Sequence, residues 1–280
     1  MSFDVMIVVL FSALLHAGWN ALVRSSADKF QNTVLIVCGA GLFSAVLLLF
    51  LPAPASPSWP YVLASGVIHV FYFSLVALSY RFAELSFAYP VMRGAAPALA
   101  ALAALFLLHE SLSAMAWLGI ALICTGVLML SAAAWRGGVI RRSSVAFALG
   151  NACVIAIYTL VDGQGVRLAA NALSYTAWVF VLTALMMLAV SLAQRGRRVL
   201  VLDAGLARVG LLGGAGTLAA YSLVLWAMMR APIASVAALR ETSIVFAALI
   251  GAAFLKERVG RLRLACVLLV CVGAAALKLS

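Results

Sequence analysis

The sequence predicts an all-α integral membrane protein, with ten transmembrane helices arranged as two inverted five-helix repeats. Three observations predict it. The 280-residue chain is 66% hydrophobic and 10% charged, with a mean hydropathy of +1.18; a soluble domain is about 45–50% apolar and about 25% charged. Its apolar residues fall into ten continuous runs. The second half repeats the rare charges of the first half, while the loop charge changes sides.

Each run approaches the roughly 20 apolar residues that a helix needs to cross a bilayer. Helices follow because the hydrocarbon offers no partner to free backbone groups. A β-barrel would alternate in segments of about ten residues, and these runs are continuous. The first run, 3–23, lacks a basic leading region and carries His16, Trp19 and Asn20, so it reads as a retained helix rather than a secretory signal. The second covers 31–51. Pro52, Pro54, Pro57 and Pro60 separate it from the third, 61–80. The fourth, 86–107, contains Pro90, Pro97 and a small-residue run from Gly94 to Ala104 that lets a neighbouring backbone approach closely. The fifth to seventh cover 113–133, 144–162 and 174–193. The eighth, 208–229, carries glycines from Gly210 to Gly216 that match no P-loop, because no Gly-Lys-Ser/Thr follows. The ninth, 233–254, starts after Pro232, and the tenth covers 262–279. The connecting loops leave no room for a soluble catalytic or nucleotide-binding domain. Cys38, Cys124, Cys153, Cys266 and Cys271 all fall inside runs and form no Cys-x-x-Cys pair, so they read as packing residues rather than metal ligands. His109-Glu110 is no zincin motif, since residue 113 is Ser113.

A shift of 147 residues places Arg93 on Arg240, Glu110 on Glu257, Cys124 on Cys271 and Gly126 on Gly273. A repeat of five helices, an odd number, puts its second copy upside down, so equivalent loops should differ in Lys/Arg. They do. Loop 2–3 has none, whereas loop 7–8 has Arg195, Arg197, Arg198 and Arg208; loop 4–5 has none, whereas loop 9–10 has Lys256, Arg258, Arg261 and Arg263. Fourteen of the 19 Lys and Arg lie in odd-numbered loops, and only Arg167, Arg230 and Lys278 lie on the other side. The positive-inside rule makes the odd-numbered loops cytoplasmic and places both termini outside. The net charge of +11 therefore reflects orientation and calls for no nucleic acid. The expected organisation is a first repeat over 1–135, a cytoplasmic connection over 136–143 with Arg136, Arg141 and Arg142, and a second repeat over 144–280.

Inverted repeats characterise secondary transporters, whose sites lie near the midplane between the repeats. The residues then match a known pattern. Ten spans, a five-plus-five repeat, Trp19 in the first helix, and the repeat endings His109-Glu110 and Lys256-Glu257 resemble the drug/metabolite transporter superfamily, specifically EamA-type proteins. The resemblance covers nearly the whole chain. It implies a central cavity lined by helices 1, 3, 4, 6, 8 and 9, with helices 5 and 10 packed outside. It implies export or exchange of small metabolites. The expected setting is a bacterial-type inner membrane, and the expected form a monomer or homodimer without a cofactor. Arg240 is followed by Glu241, where Arg93 is followed by Gly94, so the repeats differ at their charged positions.

The candidate site follows from polar groups inside apolar runs. A charge at a helix centre costs about 2.5–3.5 kcal/mol on the lenient insertion scale. Arg93, Arg240 and Glu241 therefore need partners or a wet cavity, either as a substrate or proton site or as an internal salt bridge pinning helices four and nine. Pro97 has no N–H for the Arg93 carbonyl, which predicts a kink there, and Pro90 loosens the preceding turn. Ser12, His16 and Asn20 form one stripe at four-residue spacing. Ser65, His69, Tyr72, Val76 and Tyr80 form another, Asn151, Tyr158 and Asp162 a third, and Thr217 and Tyr221 a fourth, with Ser222 and Trp226 one face over. Trp59 and Trp135, near span ends, read as interface anchors.

These residues predict a secondary exporter or exchanger of a small polar or amphipathic metabolite, working by alternating access. Proton coupling would use Glu241, read here as the only acid deep in a span. An alternative is transport of lipid-like or quaternary-amine solutes through the aromatics Tyr72, Tyr80, Tyr158 and Trp226. An intramembrane enzyme would need a converging acid–base or nucleophile set, and no motif joins His16, His69, Asp162 and Ser12.

Overall fold

The computed structural model describes residues 1–23, 29–82, 85–134, 142–196, 203–254 and 260–280. Among these residues there is no strand, and helices occupy the ten apolar segments. They are α1 (Phe3–Val23), α2 (Lys29–Leu47), α3 (Trp59–Phe82), α4 (Leu85–Leu107), α5 (Ala114–Ala134), α6 (Arg142–Leu168), α7 (Ala172–Arg195), α8 (Ala204–Met228), α9 (Ile233–Arg240), α10 (Ser243–Phe254) and α11 (Arg261–Leu279). A short 3₁₀ turn, Ser56–Ser58, sits in the proline-rich α2–α3 connection. Among the described residues eight runs are long and apolar enough to cross a membrane, with Ile233–Ala252 counted as one, and Ala114–Leu130 adds a shorter apolar run.

Three boundaries depart from expectation. α2 stops at Leu47 and turns through Phe50. α6 continues past residue 162 to Leu168, because the charge of Asp162 is satisfied inside the protein. The ninth run is split between α9 and α10. There, Glu241 N–H donates to Ala238 O, Thr242 N–H to Leu239 O, Ile244 N–H to Glu241 O and Val245 N–H to Thr242 O, all three residues back and 2.8–3.1 Å long. The chain thus tightens into a 3₁₀-like step. The Thr242 hydroxyl donates to the Leu239 carbonyl at 2.7 Å, offering a side-chain alternative to the α-helical ladder. α4 runs unbroken through Pro90 and Pro97.

The packing reflects the repeat. α5 packs most extensively on α11; α2 packs on α7 and α8, α1 on α8, α4 on α6, and α3 on α6 and α7. Exchanging the repeats turns α2–α8 into α7–α3, and α1–α8 into α6–α3. It turns α4–α6 into the contact of α1 with α9 and α10, which is also present. Glycine contacts follow the same exchange. A Cβ on Gly273 would lie 2.7 Å from the Gly119 carbonyl oxygen, and one on Gly126 would lie 2.9 Å from the Cys266 carbonyl oxygen. Positions 119 and 266 are also 147 apart, so one backbone approach between α5 and α11 is made twice. Bare backbone contact is how helices pack closely where lipid removes the hydrophobic drive. Phe11, Phe71, Phe106, Leu212 and Leu268 instead point outward, exposed.

Candidate functional site

The charges carried inside the apolar segments meet where α9 breaks. Arg240 ends α9, Glu241 occupies the break, and Arg93 reaches them from α4. Arg93 Nε lies 2.8 Å from Glu241 Oε2, and Arg240 Nε lies 4.0 Å from Glu241 Oε1. Arg93 Nη2 donates to Ser243 Oγ, the first residue of α10, at 3.2 Å. Arg240 Nη2 donates to the Tyr158 hydroxyl on α6 at 3.4 Å. All three charged side chains are buried, and Glu241 is only 2% exposed. Two guanidinium groups share one carboxylate, so the cluster carries one net positive charge in a low-dielectric setting. A small cavity between α4, α6 and α9 is lined by Pro97, Thr159, Ala237, Arg240 and Glu241. The salt bridge anticipated as an alternative to a site is therefore present, and it borders this small cavity.

Tyr158 links this cluster to an aromatic one. Its ring lies 4.6 Å from His69, 5.6 Å from Tyr72 and 6.4 Å from Tyr221. His69 is held by its own helix: Nδ1 donates to the Ser65 carbonyl at 2.9 Å, with the Ser65 hydroxyl 3.1 Å away. One turn beyond Tyr158 on α6, Asp162 is fully buried. It accepts hydrogen bonds from the Tyr175 hydroxyl at 2.9 Å and from the Tyr221 hydroxyl. Glu241 is thus not the only acid deep inside a helix. The sequence reading places Asp162 on the polar stripe of the sixth run but not as a deeply buried acid, because that run ends on it; the available signal is that it is the sole acid between Glu110 and Asp203.

α1 presents a third face. The rings of His16 and Trp19 meet edge to face at 5.3 Å. Asn20 donates back to the His16 carbonyl at 2.7 Å, so its amide is used within its own helix. Ser12 donates to the Ala220 carbonyl at 2.7 Å and ties α1 to α8. Trp226 does not join the aromatic cluster: the Arg230 guanidinium lies 3.9 Å over its ring at the end of α8. Trp59 packs on Trp178 at 4.9 Å. The Tyr80 side chain and Trp135 lie outside the described residues.

A second polar assembly, missed from sequence, closes one end of the bundle. His109 adopts φ 52° after α4, and Glu110 N–H returns to the Ala104 carbonyl at 3.1 Å, the wide closing bond of a left-handed helix cap. That turn aims Glu110 at the start of α9, where its carboxylate accepts the Ile233 N–H at 3.0 Å. Glu110 also pairs with Arg167 at 2.7 Å. Arg167 donates in turn to the Met228 and Ala231 carbonyls at 2.9 and 3.0 Å. α4 and α9 are therefore joined at both ends. The equivalent Glu257 lies outside the described residues. Among the described residues no group of three or more His, Cys, Asp or Glu could hold a metal ion.

Comparison with known proteins agrees with this architecture. A model of the EamA-like transporter family matches residues 5–132 and again residues 142–278. A solved structure, described only as a crystal structure of a protein, superposes with a TM-score of 0.78. The match covers 99% of this chain and 98% of that one at 21% identity, a likeness of fold. No curated protein matches.

Proposed function

The chain belongs to the EamA-like transporter family, within the drug/metabolite transporter superfamily, and we propose that it is a secondary transporter, an exporter or exchanger, of a small polar or amphipathic metabolite. The observation that carries the proposal is the buried Arg93–Glu241–Arg240 cluster at the α9–α10 break, facing a cavity between helices of the two repeats. Discontinuous helices near the bilayer midplane are where many secondary transporters place substrate and ion sites.

In this reading ten spans form two inverted repeats around a central cavity in a bacterial-type inner membrane. Odd-numbered loops are cytoplasmic and both termini lie outside. One repeat rocks against the other about Arg93 and Arg240, Pro90 and Pro97 let α4 bend, and the chain works as a monomer or homodimer. Glu241 is the candidate proton carrier, and protonation would loosen its ion pair with Arg93, leaving the Arg93–Ser243 hydrogen bond to tie α4 to the break. Uptake driven by a pH gradient into vesicles tests this: Glu241→Gln should abolish the pH-driven component, and an unchanged rate would remove Glu241 from that role. A melting screen of metabolites on the purified protein, repeated on Arg93→Ala and Arg240→Ala, tests the site itself. It should find solutes that stabilise the native protein and neither variant.

One observation favours a second reading. His69, Tyr72, Tyr158 and Tyr221 cluster beside the Asp162 carboxylate, an arrangement suited to the positive end of an amine through cation–π attraction. Binding that tracked cationic charge and was lost in Tyr158→Ala would support it.

A further inference from the structure

At the α9 break two guanidinium groups share one carboxylate, and α1, which packs against α9 and α10, carries two further nitrogen donors. Arg93 and Arg240 share Glu241. On α1, which packs against α8, α9 and α10, the His16 and Trp19 rings are in contact with each other. The two guanidinium groups lie within electrostatic range of the His16 ring. Trp19 packs closely on Gly216 of α8: a Cβ there would stand 3.1 Å from the Trp19 Cβ. His16 Nε2 and Trp19 Nε1 are both buried atoms with no hydrogen-bond partner among the described residues. The indole N–H can only donate, so it calls for an acceptor. A buried donor without one is rare in a native protein.

We infer that Arg240, Arg93, His16 and Trp19 form a subsite for the oxyanion of a soluble solute, a carboxylate or phosphate-type group. This rests on the transporter reading and names the chemistry of its substrate. The net positive charge of the Arg93–Glu241–Arg240 cluster attracts the anion. The Trp19 N–H and the Nε2–H tautomer of His16 supply neutral donors that a small cation could not use. Tyr158, which accepts from Arg240, then separates the anionic end of the solute from Asp162, whose carboxylate is occupied by two tyrosine hydroxyls.

The test uses the full-length protein in detergent and four three-carbon probes: propionate, propyl phosphate, propylammonium and propanol. Thermal unfolding is followed against probe concentration. The two anions should stabilise the native protein saturably, and propylammonium and propanol should not. Trp19→Phe keeps an aromatic ring and loses the donor, so the half-saturating anion concentration should rise about tenfold, as for the loss of one charge-assisted hydrogen bond. Arg240→Gln should lose the response, and the melting temperature of each variant without probe reports whether it is folded. The inference is overturned if the neutral or cationic probe stabilises equally, or if the anion response of Trp19→Phe stays within twofold of the native value. It is also overturned if only phosphatidylglycerol added to the micelle, and neither soluble anion, gives the effect. Vesicle transport separates this inference from the broader reading. Anions that bind here while no solute crosses the membrane would defeat the transporter reading alone. A neutral or cationic solute whose passage requires Arg240 would defeat the oxyanion subsite alone.

Discussion

α4 and the α9–α10 pair occupy equivalent places in the two repeats, yet the helix with two prolines is continuous and its proline-free counterpart is broken. At the shift that superposes Arg93 on Arg240, Gly94 falls on Glu241 and Pro97 on Ile244. The break therefore follows the added charge. Glu241 must meet Arg93 across the bundle, and the three-residue hydrogen bonds from Glu241 to Val245, with the Thr242 hydroxyl, re-satisfy the local backbone while it does so. The proposed site lies at this departure from symmetry. At Gly126 and Gly273, where the repeats also agree, the shared feature is a packing contact.

The largest test of that contrast is removal of the partner of Glu241. Arg93→Ala leaves a buried carboxylate with only the 4.0 Å approach of Arg240, and should destabilise by about 3 kcal/mol. Arg93→Gln combined with Glu241→Gln should recover part of the loss, since no carboxylate is left without Arg93 while Arg240 keeps its bond to the Tyr158 hydroxyl. Equal losses in the single and double variants, read by thermal unfolding in detergent, would show that the pair does not hold α4 to the break.

The symmetric region sharpens the comparison next. Gly126→Ala and Gly273→Ala each push a methyl group into a carbonyl oxygen of the facing helix, and each should cost about 1–3 kcal/mol by the same unfolding assay. Similar values would mark these positions as equivalent, and a tolerated substitution at one of them would break the equivalence of α5 and α11.

A smaller effect is expected at the opposite end of the α4–α9 pair. Glu110→Ala removes the cap on Ile233 and the partner of Arg167, whose partial exposure weakens the loss to about 1–2 kcal/mol. Glu110→Gln should retain the cap and lose less. High salt should narrow the difference between native protein and Glu110→Gln, measured by melting temperature.

The smallest expected effects separate the prolines from the break. Pro97→Ala should change stability by less than about 1 kcal/mol, since α4 already runs through this position. Thr242→Ala removes the hydroxyl bond to Leu239 and should bring faster hydrogen exchange at the amides of 244–246, with little exchange difference in α4 of Pro97→Ala.

The helices are largely legible in the sequence because lipid imposes one rule, long apolar runs with internal backbone pairing, and that rule is written residue by residue. Arg93, Arg240 and Glu241 are legible as a group because charge is so rare in the runs. The break is not, since no proline or glycine stands at Glu241 or Thr242; its cause is an ion pair between helices 148 positions apart in sequence. Asp162 is visible on a polar stripe, but its depth is hidden because a charge near a run's edge reads as a boundary, and Tyr175 and Tyr221, from two other helices, reveal it as buried. The Glu110–Arg167 assembly is hidden likewise: the glutamate is visible as a helix ending, but its targets lie at the end of α6 and the start of α9. Trp226 shows the converse, a residue placed by helical spacing near the aromatics and held elsewhere by Arg230.

The central claim is that solute passes through the cluster at the α9–α10 break. Proteoliposomes exposed to an isotope-labelled metabolite extract, with mass spectrometry of the vesicle contents, test it without the substrate being chosen in advance. The native protein should admit a small set of solutes above protein-free vesicles, and folded Arg240→Gln should lose that set at least tenfold. The same solutes entering Arg240→Gln vesicles at the native rate would contradict the account.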